Sequence, residues 1–535
     1  MSSNSTILES PPAAPAAWKP KHNPWIIALV VTMATFMEVL DTSIANVALP
    51  HIAGTLSAST DESTWVLSSY LVANAVILPI SAWLATRFGR KRFYMTCVAL
   101  FGASSLMCGL APSLSVLVFF RVIQGLGGGG LAPSEQAILA DTFPPQKRGM
   151  AFAIYGMAVV LAPAIGPTLG GYITDNFDWR WLFFINVPVA LLSLTLTSRL
   201  VEDPPFLKTM REKAGKVDYV GLGLIAVGVG SLQVVLDKGE RNDWFSSHFI
   251  QIFGIMAAVG IVTALVWEYF HENPIIDVRL FQNGNFAVSC VMMFMLGSAL
   301  FGATVLLPQM VQTLMGYTAE QAGLVLSPGA VIIILLLPMV GRMVGKLDAR
   351  YMIAFGFFAA GLGLFNMTRM NLDMSFSTII MMRVYQMAGV AFLFVPIQTM
   401  CYVGIPPEKN NNVSGMINLA RNLGGSIGIS AVETLLSRRS QYHQSVLSAH
   451  TSQWDSAFQS NVNGLARTFT SAGYDLSTAT QMAYGRIYGL MQAQASMLSY
   501  IDTIWIFAAV CCLVVPLAFL MKKNPHRAGG SASAH

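Results

Sequence analysis

The sequence predicts an all-α integral membrane protein with fourteen transmembrane helices. Three observations support this prediction: few charged residues, a series of long apolar runs, and an internal repeat. Of 535 residues, 54% are hydrophobic and 11% are charged, whereas soluble domains carry roughly 25% charged residues. So few charges could not cover several soluble cores. The composition therefore excludes soluble multidomain enzymes, disordered tails, disulfide-rich miniproteins and arginine-rich nucleic-acid binders.

Fourteen apolar runs are long enough to cross a membrane, because a helix that spans about 30 Å of hydrocarbon needs roughly 20 mostly apolar residues. Proline pairs and Asn-Pro separate several of them. The runs cover approximately 25–48, 64–86, 93–112, 115–139, 150–173, 181–200, 218–236, 249–270, 285–308, 322–345, 351–370, 378–403, 412–437 and 501–521.

The distribution of positive charge predicts the orientation. An even number of spans puts both termini on one side, and that side carries 21 of the 32 Lys and Arg residues, against 8 on the other side and 3 within spans. Positive charge accumulates in cytoplasmic segments. We therefore expect both termini in the cytoplasm. One outer loop is long, 438–500, and it is interpreted either as a solvated loop with one or two amphipathic helices or as a docking surface. The 199–217 segment is interpreted as an amphipathic interfacial linker.

The two halves of the chain repeat each other. Residues 121–124 (Arg-Val-Ile-Gln) recur as 383–386 (Arg-Val-Tyr-Gln), and 144–147 (Pro-Pro-Gln-Lys) recur as 406–409 (Pro-Pro-Glu-Lys), both at an offset of 262. Gly166 maps to Gly428 at the same offset. Parallel repeats are the build of one class of transporter, with the substrate site between the halves.

The repeat pairs spans 1–6 with spans 9–14 and leaves spans 7 and 8 as an inserted hairpin. The predicted divisions are a tail over 1–24, an N-terminal six-helix bundle over 25–200, a linker with the hairpin over 201–284, a C-terminal six-helix bundle over 285–521, and a tail over 522–535.

Several motifs resemble those of the major facilitator superfamily. Residues 82–91 resemble its signature loop between spans 2 and 3, 121–125 its fourth-span motif, and 162–171 the fifth-span motif of its antiporters. Residues 40–50 (Leu-Asp-Thr-Ser-Ile-Ala-Asn-Val-Ala-Leu-Pro) resemble the first-span motif of the 14-span drug:proton antiporters. Segments such as 243–247 make the chain similar to EmrB-type multidrug exporters.

The resemblance implies a major facilitator fold of two pseudo-symmetric six-helix bundles plus two extra central helices. It also implies that Arg87, Gly89 and Arg90 belong to the gating loop. Two departures stand out. Thr86 replaces the acidic residue that the family uses at a gating contact, which puts the latching of the inward gate in question, and Glu38 adds a second intramembrane carboxylate.

Charged residues inside spans are costly and therefore indicate function. Asp41 in span 1 and Arg121 in span 4 lie at a similar depth, so an ion pair is geometrically possible. Glu38 lies three residues from Asp41, on nearly the same face of the helix. We expect Glu38, Asp41 and Arg121 to couple transport to protons. The alternatives are that Asp41 caps or bridges helices and that Arg121 is a packing bridge.

Four further residues are candidates for the substrate cavity: Glu135, Gln124, Asn418 and Arg421. The alternative for Glu135 is an interfacial ion pair. Arg421 and Glu433 are more simply interpreted as bridges between helices, and Arg383, the repeat mate of Arg121, as structural.

Glycine positions are assigned to helix packing. The spacing of Gly125, Gly127 and Gly130 matches a dinucleotide fingerprint, but that motif needs a preceding strand, and these glycines lie inside a span where small residues allow helices to approach. A further group, Gly166, Pro167, Gly170 and Gly171, is expected to let span 5 bend and pack closely.

Other functions are excluded by what the sequence lacks. The nucleotide-binding pattern G-x-x-x-x-G-K-[ST] does not occur. All eight histidines fall in loops, tails or span ends, and the six cysteines lie in apolar runs without metal-ligand spacing, so a membrane-embedded enzyme is disfavoured. An importer of a small nutrient remains the alternative.

The resemblance implies a proton-coupled exporter of hydrophobic drugs in the bacterial inner membrane, without a cofactor and without a nucleic-acid partner. It also implies a periplasmic membrane-fusion adaptor (EmrA-like) and an outer-membrane channel (TolC-like).

Overall fold

The computed structural model describes residues 20–205, 207, 218–272, 274–449, 451 and 454–522. Most of the predicted tails, 1–24 and 522–535, lie outside the described residues, as does most of the predicted amphipathic linker at 199–217. Within the described residues all regular structure is helical.

Nineteen α-helices are described. In chain order they are α1 (Pro24–Thr55), α2 (Thr60–Ser63), α3 (Trp65–Phe88), α4 (Arg90–Gly109), α5 (Leu114–Gly128), α6 (Leu131–Thr142), α7 (Pro145–Asn176), α8 (Trp181–Phe184), α9 (Asn186–Leu200), α10 (Tyr219–Lys238), α11 (His248–Phe270), α12 (Gly284–Met315), α13 (Ala319–Val344), α14 (Ala349–Met367), α15 (Phe376–Val390), α16 (Phe394–Met400), α17 (Asn410–Ser448), α18 (Ser456–Ser471) and α19 (Leu476–Val514). Short 3-10 helices cover Glu240–Asn242, Trp244–Ser246, Val278–Gln282, Pro407–Lys409 and Val515–Leu520.

Local sequence explains where the spans begin and end. The Asn23 side chain caps α1, and Pro24 occupies its first turn, where the missing N–H costs nothing. Pro145 begins α7 in the same way. Gly89 separates α3 from α4 with φ of +92°, a conformation that side-chain-bearing residues rarely adopt.

Twelve of the described helical segments are long and apolar enough to span a membrane. The other two predicted spans are present as α4 and α17, which are more polar than the rest. Helix α4 begins with Arg90, Lys91 and Arg92, and α17 begins with three asparagines. Many of their polar side chains are buried inside the protein. Each of the fourteen predicted spans thus has a corresponding helix.

The repeat is visible in the helix boundaries. The fourth span is broken into α5 and α6 at Gly129–Gly130, and the twelfth into α15 and α16 at 391–393. Both bounds of α15 lie 262 residues after those of α5. This is the offset predicted from the motifs, and it confirms the pseudo-symmetric architecture.

The halves meet along two pairs of helices. Between the halves, α7 packs on α13 and α3 packs on α17. Within the halves, α1 packs on α7, and its repeat mate α12 packs on α17. We call the side of the molecule with Pro24 and Lys522 the terminal side, and the opposite side the far side. On the terminal side, the Lys522 amide donates to Asn285 Oδ1 at 2.6 Å, and Lys409 pairs with Asp277 at 2.6 Å.

The inserted hairpin of α10 and α11 lies against the junction of the halves. Helix α10 packs on both α3 and α17. At its far-side end, Asp237 accepts from Ser68 Oγ of α3, and Trp244 Nε1 donates to Thr434 Oγ1 of α17 at 3.2 Å. The hairpin therefore contacts both halves at once.

The long loop predicted at 438–500 is largely helical. Helix α17 continues to Ser448, α19 begins at Leu476, and the amphipathic α18 lies between them. Val462 and Ala466 of α18 pack against Ala483 of α19. The expectation of amphipathic helices is confirmed, but much of the segment continues the two flanking helices instead of forming a loop.

Candidate functional site at the junction of the two halves

A closed polar network surrounds Asp41. Arg121 Nη1 donates to Asp41 Oδ2 at 2.5 Å, and Gln124 Nε2 and Asn186 Nδ2 donate to Asp41 Oδ1 at 3.0 and 2.7 Å. Arg121 also donates to the Val66 carbonyl at 2.9 Å. All of these side chains are buried. Asp41 is thus an ion-paired carboxylate that links α1, α5 and α9, and its predicted proximity to Arg121 is confirmed.

Gln124 belongs to this network and does not face a cavity in this conformation. It lies one turn after Arg121 on α5, and its Oε1 accepts from Arg121 Nη1 at 2.9 Å. The spacing of three residues puts both side chains on one face. Gln124 therefore orients Arg121 rather than lining the cavity for which it was a candidate.

Glu38 has a different environment from Asp41. Its Oε1 accepts from Tyr70 Oη at 3.2 Å and from Asn74 Nδ2 at 3.0 Å, both on α3. Glu38 is only partly buried, although it lies mid-span. The ring of the same Tyr70 lies beneath the Arg121 guanidinium, 4.5 Å from its centre. Tyr70 therefore connects the two carboxylate sites, and Glu38 is the more accessible of the two.

The cation whose field reaches Glu38 from the C-terminal half is Arg421 of α17. Arg421 Nη1 donates to Tyr155 Oη at 3.1 Å, and its Nε has no hydrogen-bond partner. It also borders a small cavity of about 20 Å³ that is otherwise apolar. The cavity lies between the halves, and its lining includes Val160, Leu300, Phe301, Leu337 and Phe394. It has room for about one water, so a drug-sized ligand requires the halves to separate.

On the terminal side of this cavity the halves are joined by uncharged hydrogen bonds. Gln136 and Asn418 form two bonds with each other, at 2.7 and 3.2 Å, and Gln398 Nε2 donates to Gln136 Oε1 at 2.5 Å. Gln136 and Gln398 are repeat mates, since 262 residues separate them. We call these three residues the amide seam. All three are buried, so the terminal side is closed, and Asn418 joins the halves rather than lining an open cavity.

The connection between α3 and α4 lies on the same side and also takes part in contacts between helices. Arg90 is buried against Asp141 and donates to the Ala137 carbonyl at 3.0 Å, while Asn410 of α17 donates to Asp141 at 2.6 Å. Thr86 Oγ1 accepts from Asn411 Nδ2 at 3.2 Å. Thr86, whose lack of charge put the latching of the inward gate in question, therefore forms a neutral hydrogen bond between α3 and α17. Gly89 packs beside Asp203, and Arg87 lies in the last turn of α3.

The fifth-span glycines differ in their surroundings. Added Cβ atoms would lie 2.6 Å from Ser43 Cβ at Gly166 and 3.3 Å from Ile44 at Gly170, both on α1. An added Cβ at Gly171 would meet nothing within 4 Å. Helix α7 continues through Pro167 to Asn176. Close packing on α1 therefore depends on Gly166 and Gly170, and Gly171 does not take part in it.

The remaining ionisable candidates lie apart from the cavity. Glu135 of α6 is fully buried, and its Oε1 accepts from Thr32 Oγ1 at 2.5 Å. Glu433 lies near Arg241 and Asp237 towards the far side. Arg383 is buried and donates to Gln386 at 2.7 Å and to Thr304 at 3.2 Å, without an acidic partner among the described residues.

Several residues of the site were missed in the sequence: Tyr70, Asn74, Asn186, Gln136, Gln398 and Tyr155. Asn74 and Asn186 carried a usable signal, because an asparagine within an apolar span needs a partner. Gln136 and Gln398 share the offset of the repeat. The tyrosines gave no such signal, since aromatic residues are ordinary in spans.

Comparisons with known proteins agree with this architecture. The profile of the Major Facilitator Superfamily matches residues 31–429. The multidrug export protein EmrB of Escherichia coli K12 is 37% identical over 514 residues, which covers 95% of this chain and 98% of that protein. The fatty acid resistance protein FarB of Neisseria gonorrhoeae is 35% identical over 507 residues, covering 94% and 97%.

Solved structures share the fold. A double-tryptophan variant of XylE superposes with a TM-score of 0.60 at 15% identity, covering 94% of this chain and 96% of that one. The human organic anion transporter MFSD10 gives 0.57 at 12% identity, covering 92% and 100%. With its repeated halves, its helix pairing and these relatives, the chain belongs to the major facilitator superfamily and, within it, to the EmrB-type transporters.

Proposed function

We propose that the chain is a proton-coupled exporter of hydrophobic drugs that works by alternating access in the bacterial inner membrane. The names of its relatives, a multidrug export protein and a fatty acid resistance protein, support the export of apolar compounds. The excess of Lys and Arg on the terminal side supports cytoplasmic termini.

The observation that carries the proposal is the contrast between the two carboxylates of α1. Asp41 is held by Arg121, Gln124 and Asn186 in a network that has no exposed member. Glu38 is partly exposed at the junction of the halves and lies within the field of Arg421 from the opposite half. Movement of one half against the other changes the surroundings of Glu38 far more than those of Asp41.

In the mechanism, Asp41 and Arg121 are a fixed ion pair that holds α1 against α5. Glu38 loads a proton when its side of the junction is hydrated from the far side. Loss of its negative charge weakens the attraction between Glu38 and Arg421 across the halves. The terminal side can then open, and drug enters the apolar cavity beside Arg421. Drug and proton thus use the same junction, and they cross the membrane in opposite directions.

The test is dye efflux driven by a pH gradient in inverted membrane vesicles, together with drug exchange in the absence of a gradient. Glu38→Gln is expected to remove the response to the gradient and to retain exchange, because the fixed pair is intact. Glu433→Gln is the matched control, since Glu433 lies beside Arg241 and Asp237, twelve residues and about 18 Å along α17 from Arg421. Full gradient-driven export by Glu38→Gln, Asp41→Asn and the double variant would contradict the proposal.

We propose that the end of α17, α18 and the start of α19 bind a periplasmic adaptor. They expose aromatic side chains, including Tyr442 (54% exposed) and Tyr488 (52% exposed), and aromatic residues are enriched in protein interfaces. Helix α18 packs on α19 through a small apolar cluster. Deleting residues 454–474 is therefore expected to abolish adaptor co-purification while vesicle transport continues. Loss of vesicle transport, or unchanged adaptor binding, would contradict this assignment.

A further inference from the structure

Glu135 is a buried carboxyl group on the terminal side of Glu38, and the mechanism above gives it no role. We propose that Thr35 relays the proton loaded at Glu38 to Glu135, from which it is released when the terminal side opens. The proposal rests on the proposed proton-coupled function and adds a path and a release site to it.

The surroundings of Glu135 favour a neutral carboxyl group. Its Oε1 accepts from Thr32 Oγ1 at 2.5 Å, the Thr35 hydroxyl lies against the same carboxyl, and the side chain is fully buried. A buried carboxylate without a cation beside it is far less stable than the protonated acid. In the closed conformation Glu135 therefore carries a proton.

No cation compensates Glu135 among the described residues. The titratable groups that face it are Glu38 of α1, Tyr94 of α4 and Tyr155 of α7. Of the cations on neighbouring helices, Arg90 pairs with Asp141 and Arg421 bonds to Tyr155. Charge neutrality at this place thus depends on a bound proton.

A hydroxyl group lies between the two glutamates. Thr35 is three residues from Glu38 on α1, which is about 4.5 Å along the helix axis, and Thr32 is one turn further towards the terminal side. Thr35 is fully buried, and its hydroxyl lies against the Glu135 carboxyl. A hydroxyl group can accept one proton while it gives up another, because it is both a donor and an acceptor. Its position along α1 therefore fits the transfer of a proton.

The relay moves one proton from Glu38 to Glu135. The Glu38 acid transfers its proton to Thr35 Oγ1 while the Thr35 hydroxyl proton passes to the Glu135 carboxylate. Glu38 becomes the carboxylate, Thr35 is unchanged, and Glu135 becomes the acid. When the terminal side opens, the O–H bond of Glu135 breaks and the proton goes to water.

The amide seam ties this release to the movement of the halves. Gln136 follows Glu135 directly and bonds to Asn418 and Gln398 of the opposite half. Separation at the seam brings water to Glu135 and stabilises its charged form. Reclosing the seam buries that charge again unless Glu38 supplies a proton. The terminal side therefore closes readily only after Glu38 has been loaded from the far side.

The test uses Thr35→Val, which removes the hydroxyl but keeps the shape, and Thr35→Ser, which retains the hydroxyl. Gradient-driven efflux by Thr35→Val is expected to fall by about tenfold or more, with drug exchange maintained, and Thr35→Ser is expected to restore it. Infrared spectra of the purified protein at neutral pH should contain a protonated-carboxyl band that Glu135→Gln removes.

The outcomes separate the two proposals. Wild-type efflux by Thr35→Val, or an infrared spectrum that Glu135→Gln leaves unchanged, would overturn the relay while leaving proton-coupled export intact. Absence of gradient-driven efflux in the wild-type protein would instead overturn the proposed function, and the relay with it. Should Glu135→Gln fail to fold, the comparison of Thr35→Val with Thr35→Ser still decides the matter.

Discussion

The fourth span and its repeat mate, the twelfth, share a scaffold but differ in charge. In the N-terminal half, Arg121 bonds to Gln124 and to Asp41. In the C-terminal half, Arg383 bonds to Gln386 in the same way, but its second partner is Thr304 and no carboxylate is present. The position that matches Asp41 at the offset of 262 is Ala303.

This difference indicates which part of the repeat is structural. The Arg-x-x-Gln pair recurs in both halves, so it belongs to the architecture of a broken span. The acid occurs only in the N-terminal half, next to Glu38 and Tyr70. In the proposed mechanism the coupling residues are therefore concentrated in one half, and the other supplies Arg421 and the partner residues of the seam.

The largest expected effect separates Arg121→Met from Arg383→Met. Removing Arg121 leaves Asp41 buried without its cation, which costs about 3–5 kcal/mol, so both transport and thermal stability should fall steeply. Removing Arg383 leaves no buried carboxylate behind and breaks only its hydrogen bonds to Gln386 and Thr304, so stability should fall by a smaller amount, about 1–3 kcal/mol. Thermal unfolding of the two purified variants measures this, and equal losses would remove the distinction between the halves.

A smaller effect is expected where the halves are alike. Gly166 and its repeat mate Gly428 both lie at close helix crossings, with an added Cβ 2.6 Å from Ser43 Cβ and 2.7 Å from Ser298 Cα. Alanine at either position should therefore lower stability by about 1–3 kcal/mol. Gly171→Ala is the control, because nothing lies within 4 Å of its added Cβ. A cost for Gly171→Ala as large as for the other two would contradict the packing described.

The smallest effect concerns the amide seam. Gln136→Ala and Gln398→Ala each remove neutral hydrogen bonds between the halves, worth about 1 kcal/mol apiece, so each should shift the protein towards a conformation open on the terminal side. Spin labels at Phe88 and Leu347, both exposed on that side, report the distance between the halves by electron–electron resonance. A Cys512→Ala background removes the exposed native thiol. Unchanged distance distributions in both variants would show that the seam does not hold the halves together.

The sequence predicted the fold nearly completely, because apolar runs, positive charge and the offset of 262 are all properties of the chain itself. It also predicted the contact between Asp41 and Arg121, since depth along two helices is enough to bring them to one level. It did not distinguish Glu38 from Asp41. Three residues of separation gave them nearly one face, yet one points to Tyr70 and Asn74 and the other to Arg121 and Asn186.

The unpredicted part of the site depends on how each helix is rotated about its axis. That rotation decides that Gln124 turns to Asp41 and that Asn418 meets Gln136. It is set by packing against several neighbours at once, and no single span encodes it. The repeat alone helps to predict such contacts from the sequence. Residues at the same offset, such as Gln136 and Gln398, occupy equivalent places in the two halves and can meet where the halves touch.

The central claim is that Glu38 is the group that exchanges a proton at the junction, while Asp41 and Arg121 remain a fixed pair. Proton release on addition of a transported drug to the purified protein, followed with a pH-indicator dye, tests this most directly. We expect release by the wild-type protein and by Arg383→Met, less release by Glu38→Gln, which can lose only the proton already held at Glu135, and none by Glu38→Gln combined with Glu135→Gln. Undiminished drug-induced proton release by Glu38→Gln would contradict it.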